Sequence, residues 1–103
     1  MNEIVKVTEQ DRLSEILKAN DRVVVKFTAP SWCIPCRNFA PAFEAVSELV
    51  EDATFVSVDI DDAPWAPEEY DFRGVPFVIL FENGKRVRDL RERTAVKFLK
   101  EME

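Results

Sequence analysis

The feature that most constrains this chain is its pair of cysteines. Cys33 and Cys36 are the only two in the molecule, and they lie in the stretch WCIPCR over residues 32–37. An apolar, β-branched run at 23–25 precedes the pair, and a helical pattern over 38–50 follows it. Two thiols at this spacing at the start of a helix can close a small disulfide ring and reopen it. This is the redox interpretation of C-x-x-C between a strand and a helix.

The composition favours one globular domain over residues 1–103 and argues against several other classes of protein. Of the 103 residues, 47% are hydrophobic and 33% are charged, which is enough to build a single core. The formal net charge of −6 argues against nucleic-acid partners and against docking on an anionic membrane. No signal-peptide or transmembrane pattern is present, so we expect a cytoplasmic protein, where disulfides are usually transient and catalytic. The absence of histidine excludes Cys-His catalysis within the chain.

Hydrophobic periodicity predicts elements in the order β-α-β-α-β-α-β-β-α. The predicted strands cover 4–7, 22–28, 53–58, 77–81 and 85–90, and the predicted helices cover 9–19, 38–50, a short segment around Glu68 and a last segment after Thr94. Early βαβ units followed by a terminal hairpin predict an α/β fold with a mixed sheet and helices on both faces.

Local signals refine these elements. Thr8 and Thr94 are predicted to be the N-caps of the first and last helices. Pro41, inside the second helix, predicts a kink near Arg37. The dipeptide Asn83-Gly84 predicts a two-residue hairpin turn, which makes the fifth strand antiparallel to the fourth.

Motifs along nearly the whole chain resemble those of the thioredoxin family. WCIPC at 32–36 resembles the family's W-C-G-P-C, and Ala29-Pro30 is similar to the residues before it. FRGVP at 72–76 resembles the segment with the family's cis-proline, and FENGK at 81–85 resembles its F-x-N-G hairpin. The resemblance implies a thioredoxin fold: a central mixed five-stranded sheet, parallel strands plus a C-terminal antiparallel hairpin, flanked by four helices.

The same resemblance implies a monomeric protein-disulfide reductase. It would need no cofactor beyond its redox-active disulfide, act on disulfide-containing proteins and be recycled by a thioredoxin-reductase-like enzyme. Cys33 would precede the helix, where free backbone N–H groups favour a thiolate, so we expect it to be the more exposed, attacking sulfur. Cys36, one turn into the helix, would resolve the mixed disulfide.

We expect a substrate groove formed by Trp32, Ile34, Pro35, Val75 and Pro76. Pro35 would restrict the disulfide ring and Trp32 would supply an apolar wall beside the sulfurs. The resemblance implies that Pro76 is cis and faces the disulfide, leaving the Val75 backbone to pair with an extended substrate. The apolar members should form one exposed patch, because a partner must cover the reacting sulfur.

Several residues depart from the family pattern. Ile34 replaces the usual glycine and affects partner choice and reduction potential, and Ser31 is one extra residue before the tryptophan. The region 85–92 lacks the glycine that lines the family's groove, so we expect another residue at that edge. The candidates are Leu90, Arg91 and Glu92. These departures hint at a divergent, phage-encoded member.

Lys26 is the least expected residue in the chain. It stands where the family has a buried acid that exchanges a proton with the second cysteine, and Ser57 stands where a lysine often accompanies that acid. Alternation along 22–28 places Val23, Val25 and Phe27 on one face of the strand and Val24, Lys26 and Thr28 on the other. In the fold that the resemblance implies, a central strand is covered on both faces, so we expect Lys26 to be at least partly buried. Desolvation would favour its neutral form, and an acid such as Asp59 its charged form. Lys26 is therefore a candidate proton-transfer modulator for Cys36; alternatively, its ammonium reaches solvent.

Other interpretations stay open at this level. The cysteines could form half of an intersubunit zinc site, although zinc normally takes four ligands, or a purely structural disulfide, although so short a loop constrains the unfolded chain little. Pro76 could be an ordinary trans proline. The acidic run 59–62 is similar to the start of an EF-hand loop, but Pro64 occupies the glycine position. The functional alternatives are a thioredoxin-like subunit that clamps a partner, and a disulfide isomerase or oxidase.

Overall fold

A computed structural model describes residues 3–103 and contains one five-stranded sheet with four helices. The strands are β1 (Val5–Lys6), β2 (Arg22–Thr28), β3 (Thr54–Asp59), β4 (Phe77–Glu82) and β5 (Lys85–Leu90); the helices are α1 (Gln10–Ala19), α2 (Ile34–Leu49), α3 (Ala66–Glu69) and α4 (Ala95–Met102). The predicted order of elements and the predicted α/β class with a mixed sheet are confirmed. Within residues 3–103, no helix is long and apolar enough to cross a bilayer.

The strand β2 lies at the centre of the sheet, whose order is β1-β3-β2-β4-β5. It runs parallel to β3 and antiparallel to β4, and β5 returns antiparallel to β4. Six of its seven residues are buried, as expected for a strand covered on both faces. Lys26, in the middle of this strand, pairs with Ser57 on one side and Val78 on the other.

Alternation along β2 divides the core into two layers, as the sequence predicted. Val23, Val25 and Phe27 pack on the side covered by α1 and α3. Val24 packs on the other side with apolar residues of α2 and α4, including Phe43. The sheet is therefore held between two helical layers, and the carboxyl ends of the parallel strands β2 and β3 meet at one edge.

The predicted hairpin turn and one of the two predicted helix N-caps are confirmed, and the other N-cap is wrong. Asn83 and Gly84 have φ of 54° and 79°, the paired positive values of a two-residue hairpin turn, so that prediction is confirmed. Thr94 is the N-cap of α4, although its side chain makes no capping bond. The prediction for Thr8 is wrong, because the first backbone bond of α1 runs from Leu13 to the carbonyl of Glu9, which makes Glu9 the N-cap.

The helix α2 begins four residues earlier than its periodicity predicted, at Ile34 instead of position 38. Its first turn contains Pro35, whose missing N–H is not needed there and whose fixed φ suits a helix start. Pro41 lies inside the helix, as expected, and the kink near Arg37 stays a prediction. The early start places both cysteines at the N-terminus of the helix.

Candidate active site

The active-site loop leaves the buried end of β2 and turns directly into α2. The N–H groups of Trp32 and Cys33 both donate to the carbonyl of Ala29, at 3.2 and 2.9 Å. Cys33 is the N-cap of α2, and its sulfur accepts the backbone N–H of Cys36 at 3.2 Å. An N-cap residue normally satisfies a free helix amide with a side-chain oxygen, and here a sulfur takes that place. The Cys33 sulfur is thus held at the positive end of the helix.

The two cysteines form a disulfide with their Cα atoms 5.2 Å apart. Cys33 is 5% exposed and Cys36 is 1% exposed, so the order of exposure agrees with the prediction. Around the sulfurs pack Ala29, Ile60 and Val75. Sequence reasoning missed Ala29 and Ile60 as members of this cluster. The signal that could have found them is the parallel pairing of β2 and β3, which places the residues after both strands at the same edge.

The peptide bond between Val75 and Pro76 is cis, as the resemblance implied, and the alternative of an ordinary trans proline is wrong. The carbonyl oxygen of Val75 lies 3.6 Å from the Cys33 sulfur. Because the oxidised sulfur carries no hydrogen, this is a contact and not a hydrogen bond. The structure therefore brings the cysteine pair and the Val75-Pro76 segment together.

The extra residue Ser31 is held on both sides of the loop. Its hydroxyl and the indole N–H of Trp32 donate to the two carboxylate oxygens of Asp61, at 2.8 and 3.1 Å. These bonds, that from Trp32 first, lower the pKa of Asp61. On the opposite side, the Arg37 guanidinium donates to the carbonyls of Pro30 and Ser31, at 2.6 and 2.9 Å. The insertion therefore leaves a loop tied both to the end of β3 and to α2.

Two of the four apolar residues that were predicted to form one exposed patch are exposed, and the patch itself stays a prediction. Trp32 and Ile34 are 60% and 64% exposed, whereas Val75 and Pro76 are partly buried. The role of Trp32 as an apolar wall stays a prediction. Pro35 and Pro76 line one pocket of about 300 Å³ together with Asn38, Phe39 and Arg93.

The edge of the groove is occupied by Arg93, which sequence reasoning missed because it considered only 85–92. The prediction of Leu90, Arg91 or Glu92 at this edge is wrong. Leu90 is buried in the core, and the N–H groups of Arg91 and Glu92 donate to the carboxylate of Glu101. Neither Arg91 nor Glu92 lines the pocket beside Pro76, whereas Arg93 does.

Lys26 is buried, with 7% of its surface exposed, as predicted. Its Nζ lies 4.7 Å from the centre of the Phe43 ring. The pKa of Lys26 is lowered, chiefly by desolvation and to a smaller extent by Lys6, whereas the charge of Glu44 opposes the shift. The acid whose charge acts on Lys26 is therefore Glu44 of α2. The expectation that Asp59 would be this acid is wrong. Among the described residues, no hydrogen bond joins Lys26 to Cys36.

Comparison with known proteins identifies the family. A sequence model described as Thioredoxin matches residues 3–102. The chain belongs to the thioredoxin family. It is 43% identical to a thioredoxin of Mycoplasmoides gallisepticum over 79 residues, covering 77% of this chain and 78% of that protein. It is 38% identical to thioredoxin-3 of Dictyostelium discoideum over 89 residues, covering 86% and 84%.

Solved thioredoxin structures have the same fold. The oxidised thioredoxin of Plasmodium falciparum superposes with a TM-score of 0.83 at 29% identity, covering 97% of this chain and 94% of that one. A mutant thioredoxin of Halobacterium salinarum gives 0.82 at 33% identity, covering 97% and 89%. Family, fold and the Cys33–Cys36 disulfide together identify this thioredoxin-family protein as a thiol-disulfide oxidoreductase.

We predict that Lys26→Met stabilises the protein at neutral pH. The folded-state pKa of Lys26 lies below its ordinary value of 10.5, so holding the ammonium in this site costs free energy of folding. Replacing buried ion pairs with apolar residues is often neutral or stabilising, and we expect the same sign for this single buried cation, measured as a higher midpoint of urea unfolding.

The pH dependence of this gain checks its cause. Between the folded-state pKa and 10.5, the unfolded chain binds more protons than the folded one, so the stability of the parent rises with pH. The advantage of Lys26→Met should therefore be complete below the folded-state pKa, shrink as the pH rises through it and vanish above 10.5. A variant that is less stable than the parent at neutral pH would show that Lys26 is a net stabilising cation.

Proposed function

We propose that this protein reduces disulfide bonds in other proteins, with Cys33 as the nucleophile and Cys36 as the resolving thiol. One observation carries the proposal: the Cys33 sulfur caps α2 by accepting the Cys36 N–H and also touches the Val75 carbonyl beside cis-Pro76. One sulfur is thus placed where a helix start favours negative charge and where a partner chain could lie.

The reaction conserves atoms and electrons with these two thiols alone. The Cys33 thiolate attacks one sulfur of the substrate disulfide, that bond breaks, and the departing substrate sulfur takes up a proton. Cys36 then loses its proton and attacks the Cys33 sulfur, which releases the second substrate thiol. The substrate gains two electrons and two protons while the protein closes its disulfide. We propose that a thioredoxin-reductase-like enzyme returns the two electrons and that no resident cofactor takes part.

The proposed substrate groove uses backbone as well as side chains. Val75 lies before β4 begins at Phe77, and its N–H and C=O make no hydrogen bond within residues 3–103. An extended substrate segment can pair with such a free backbone edge. Trp32 and Ile34 supply exposed apolar surface beside it, which the partner would cover during exchange.

The proposal extends to the setting of the protein and to Lys26. We propose that it acts as a single-domain monomer in the cytoplasm, and the net charge of −6 supports the absence of nucleic-acid and anionic-membrane partners. Lys26 would modulate proton transfer at Cys36, as a neutral base or as a cation that favours the thiolate. The Lys26→Met variant tests this role through the rate at which Cys36 resolves a mixed disulfide and through the pH profile of that rate. If neither changes, Lys26 is a bystander.

We predict that the protein accelerates reduction of insulin disulfides and that Cys33→Ser abolishes this activity. Cys36→Ser should still attack substrate but should accumulate a mixed disulfide, since the resolving thiol is gone. Precipitation of the reduced insulin chains measures the turnover, and circular dichroism checks the fold of each variant. Full biological function in Cys33→Ser would instead indicate a subunit that clamps its partner without redox chemistry.

The reduction potential separates a reductase from an isomerase or oxidase. Equilibration with glutathione buffers gives this value for the Cys33–Cys36 couple. A potential more reducing than the glutathione pool supports the proposed direction, whereas a markedly more oxidising one would favour the other two activities.

We predict that Ile34→Gly alters the rate of disulfide exchange with a protein substrate severalfold and lowers stability by at most about 1 kcal/mol. Ile34 is 64% exposed beside the attacking sulfur, and glycine in a helix costs about 1 kcal/mol. Leu49→Gly is the matched control, because Leu49 is 68% exposed at the other end of the same helix. The control should leave the exchange rate unchanged. A large loss of stability in Ile34→Gly with unchanged exchange would mean that Ile34 is a structural residue.

A further inference from the structure

Arg93 places a cation at the edge of the groove. Its Nη2 donates to the carbonyl of Pro76 at 3.2 Å, and its Nη1 donates to the carbonyl of Leu90 at 2.9 Å. Its guanidinium carbon lies 5.0 Å from the centre of the Phe39 ring, within the range of a cation–π interaction. These contacts hold the planar head group in one orientation against the wall of the groove.

Arg93 and the reacting sulfur contact neighbouring residues of the same segment. The Cys33 sulfur touches the carbonyl of Val75, and the guanidinium binds the carbonyl of the next residue, Pro76. Arg93 also lines the pocket of about 300 Å³ that contains Pro76 and Pro35, and Pro35 lies between the two cysteines in the sequence. A substrate that pairs with the Val75 backbone while its disulfide reacts at Cys33 would therefore bring its flanking side chains beside this pocket.

Part of the hydrogen-bonding capacity of Arg93 is unused. A guanidinium has five N–H donors. Three bonds engage it: Nη1 to the carbonyls of Leu90 and Glu92, and Nη2 to that of Pro76. Within residues 3–103, Nε and the second hydrogen of Nη2 have no partner.

The charge of Arg93 is also unpaired among the described residues. Burial lowers its pKa, and the charges of Glu101 and Glu92 only partly oppose this effect. The carboxylate of Glu101 is engaged by the backbone N–H groups of Arg91 and Glu92, and no carboxylate lies within ion-pair distance of Arg93. The site thus contains a half-buried cation with free donors, and a planar carboxylate matches both its charge and its geometry.

We propose that Arg93 is a specificity-determining residue that binds the carboxylate of a Glu or Asp side chain close to the attacked cysteine of a substrate protein. The inference rests on the proposed function and adds a chemical preference to it: this site favours disulfides with acidic flanking sequence. The preference is local, since the protein as a whole carries a net charge of −6 and repels acidic partners at long range. A short-range guanidinium–carboxylate pair is what selects among disulfides that reach the groove.

The experiment compares peptide disulfides that differ only near the cysteine. A neutral parent peptide carries Gln in the flanking positions, and single Glu or Lys replacements are made within about three residues on either side, since a strand advances about 3.3 Å per residue. For each peptide, kcat/KM is measured with the reduced protein at low and high salt. We expect the best-placed Glu to raise kcat/KM about five- to tenfold over Gln and Lys to lower it, with both differences shrinking in salt.

Two substitutions that each remove one positive charge show whether the preference for Glu comes from Arg93 itself. Arg93→Gln should remove the preference for Glu over Gln, leaving a ratio near one. Arg91→Gln should keep the ratio, because the Arg91 side chain is 75% exposed and, within residues 3–103, its only ion pair is with Asp89 at 3.9 Å. Arg93→Lys should keep part of the preference, as a point charge without the planar fork.

The possible outcomes separate this inference from the proposed function. If the parent protein reduces all peptides with equal kcat/KM, the inference is wrong and the proposed reductase function stands. If Arg91→Gln loses the preference as fully as Arg93→Gln does, the effect is general electrostatics and the inference is again wrong. If no peptide disulfide is reduced at all, both fail. The ratio of kcat/KM for the Glu and Gln peptides, measured on the parent protein, tests the inference even if Arg93→Gln folds poorly.

Discussion

The thiol-disulfide chemistry depends on the hydrogen bond between the Cys33 sulfur and the first turn of α2. The Cys36 N–H that this sulfur accepts belongs to the group of helix amides that would otherwise lack a partner. Pro35 allows the helix to begin at this point, and the loop before it is tied down by Arg37 on one side and Asp61 on the other. The position of the reacting atom is therefore set by backbone hydrogen bonds, with side chains bracing the loop that delivers it.

A second constraint is the central strand β2, which carries the site at one end and an unusual charge in its middle. Lys26 is buried between Ser57 and Val78 of the neighbouring strands, and it lies against Phe43. The desolvation that lowers its pKa is the cost of placing an ammonium in the core. Glu44 offsets this cost only in part, so the residue below the active site differs in charge and in titration from the acid that the family resemblance led us to expect.

Much of the fold could be predicted because the spacing of apolar residues within each segment indicates a helix or a strand. The bounds of β2 match the prediction, and the Asn83-Gly84 turn could be placed from two residues whose backbone preferences are specific. The start of α2 could not be placed by apolar spacing, because the residues of its first turn serve the active site and the pattern of the core begins only at Phe39. In this first turn, the residues needed at the active site interrupt the apolar spacing that would otherwise indicate the start of the helix.

The candidate site was predictable where a motif carries it and not where packing between distant elements decides it. The cysteines and cis-Pro76 follow from motifs. Arg93 does not, because its place beside Pro76 depends on contacts with segments distant in the sequence, the Pro76 carbonyl and the Phe39 ring. The acid that acts on Lys26 was likewise missed, since Glu44 approaches from a helix whose rotation relative to the sheet is not encoded in the strand pattern.

The central claim is that the start of α2 makes the two thiols unequal, with Cys33 the reactive one. The most direct measurement is a brief alkylation of the fully reduced protein near neutral pH, followed by peptide mass spectrometry to count label at each cysteine. The account predicts that Cys33 is modified first and that Cys36 stays largely unlabelled until the protein is unfolded. Equal labelling, or faster labelling of Cys36, would contradict it.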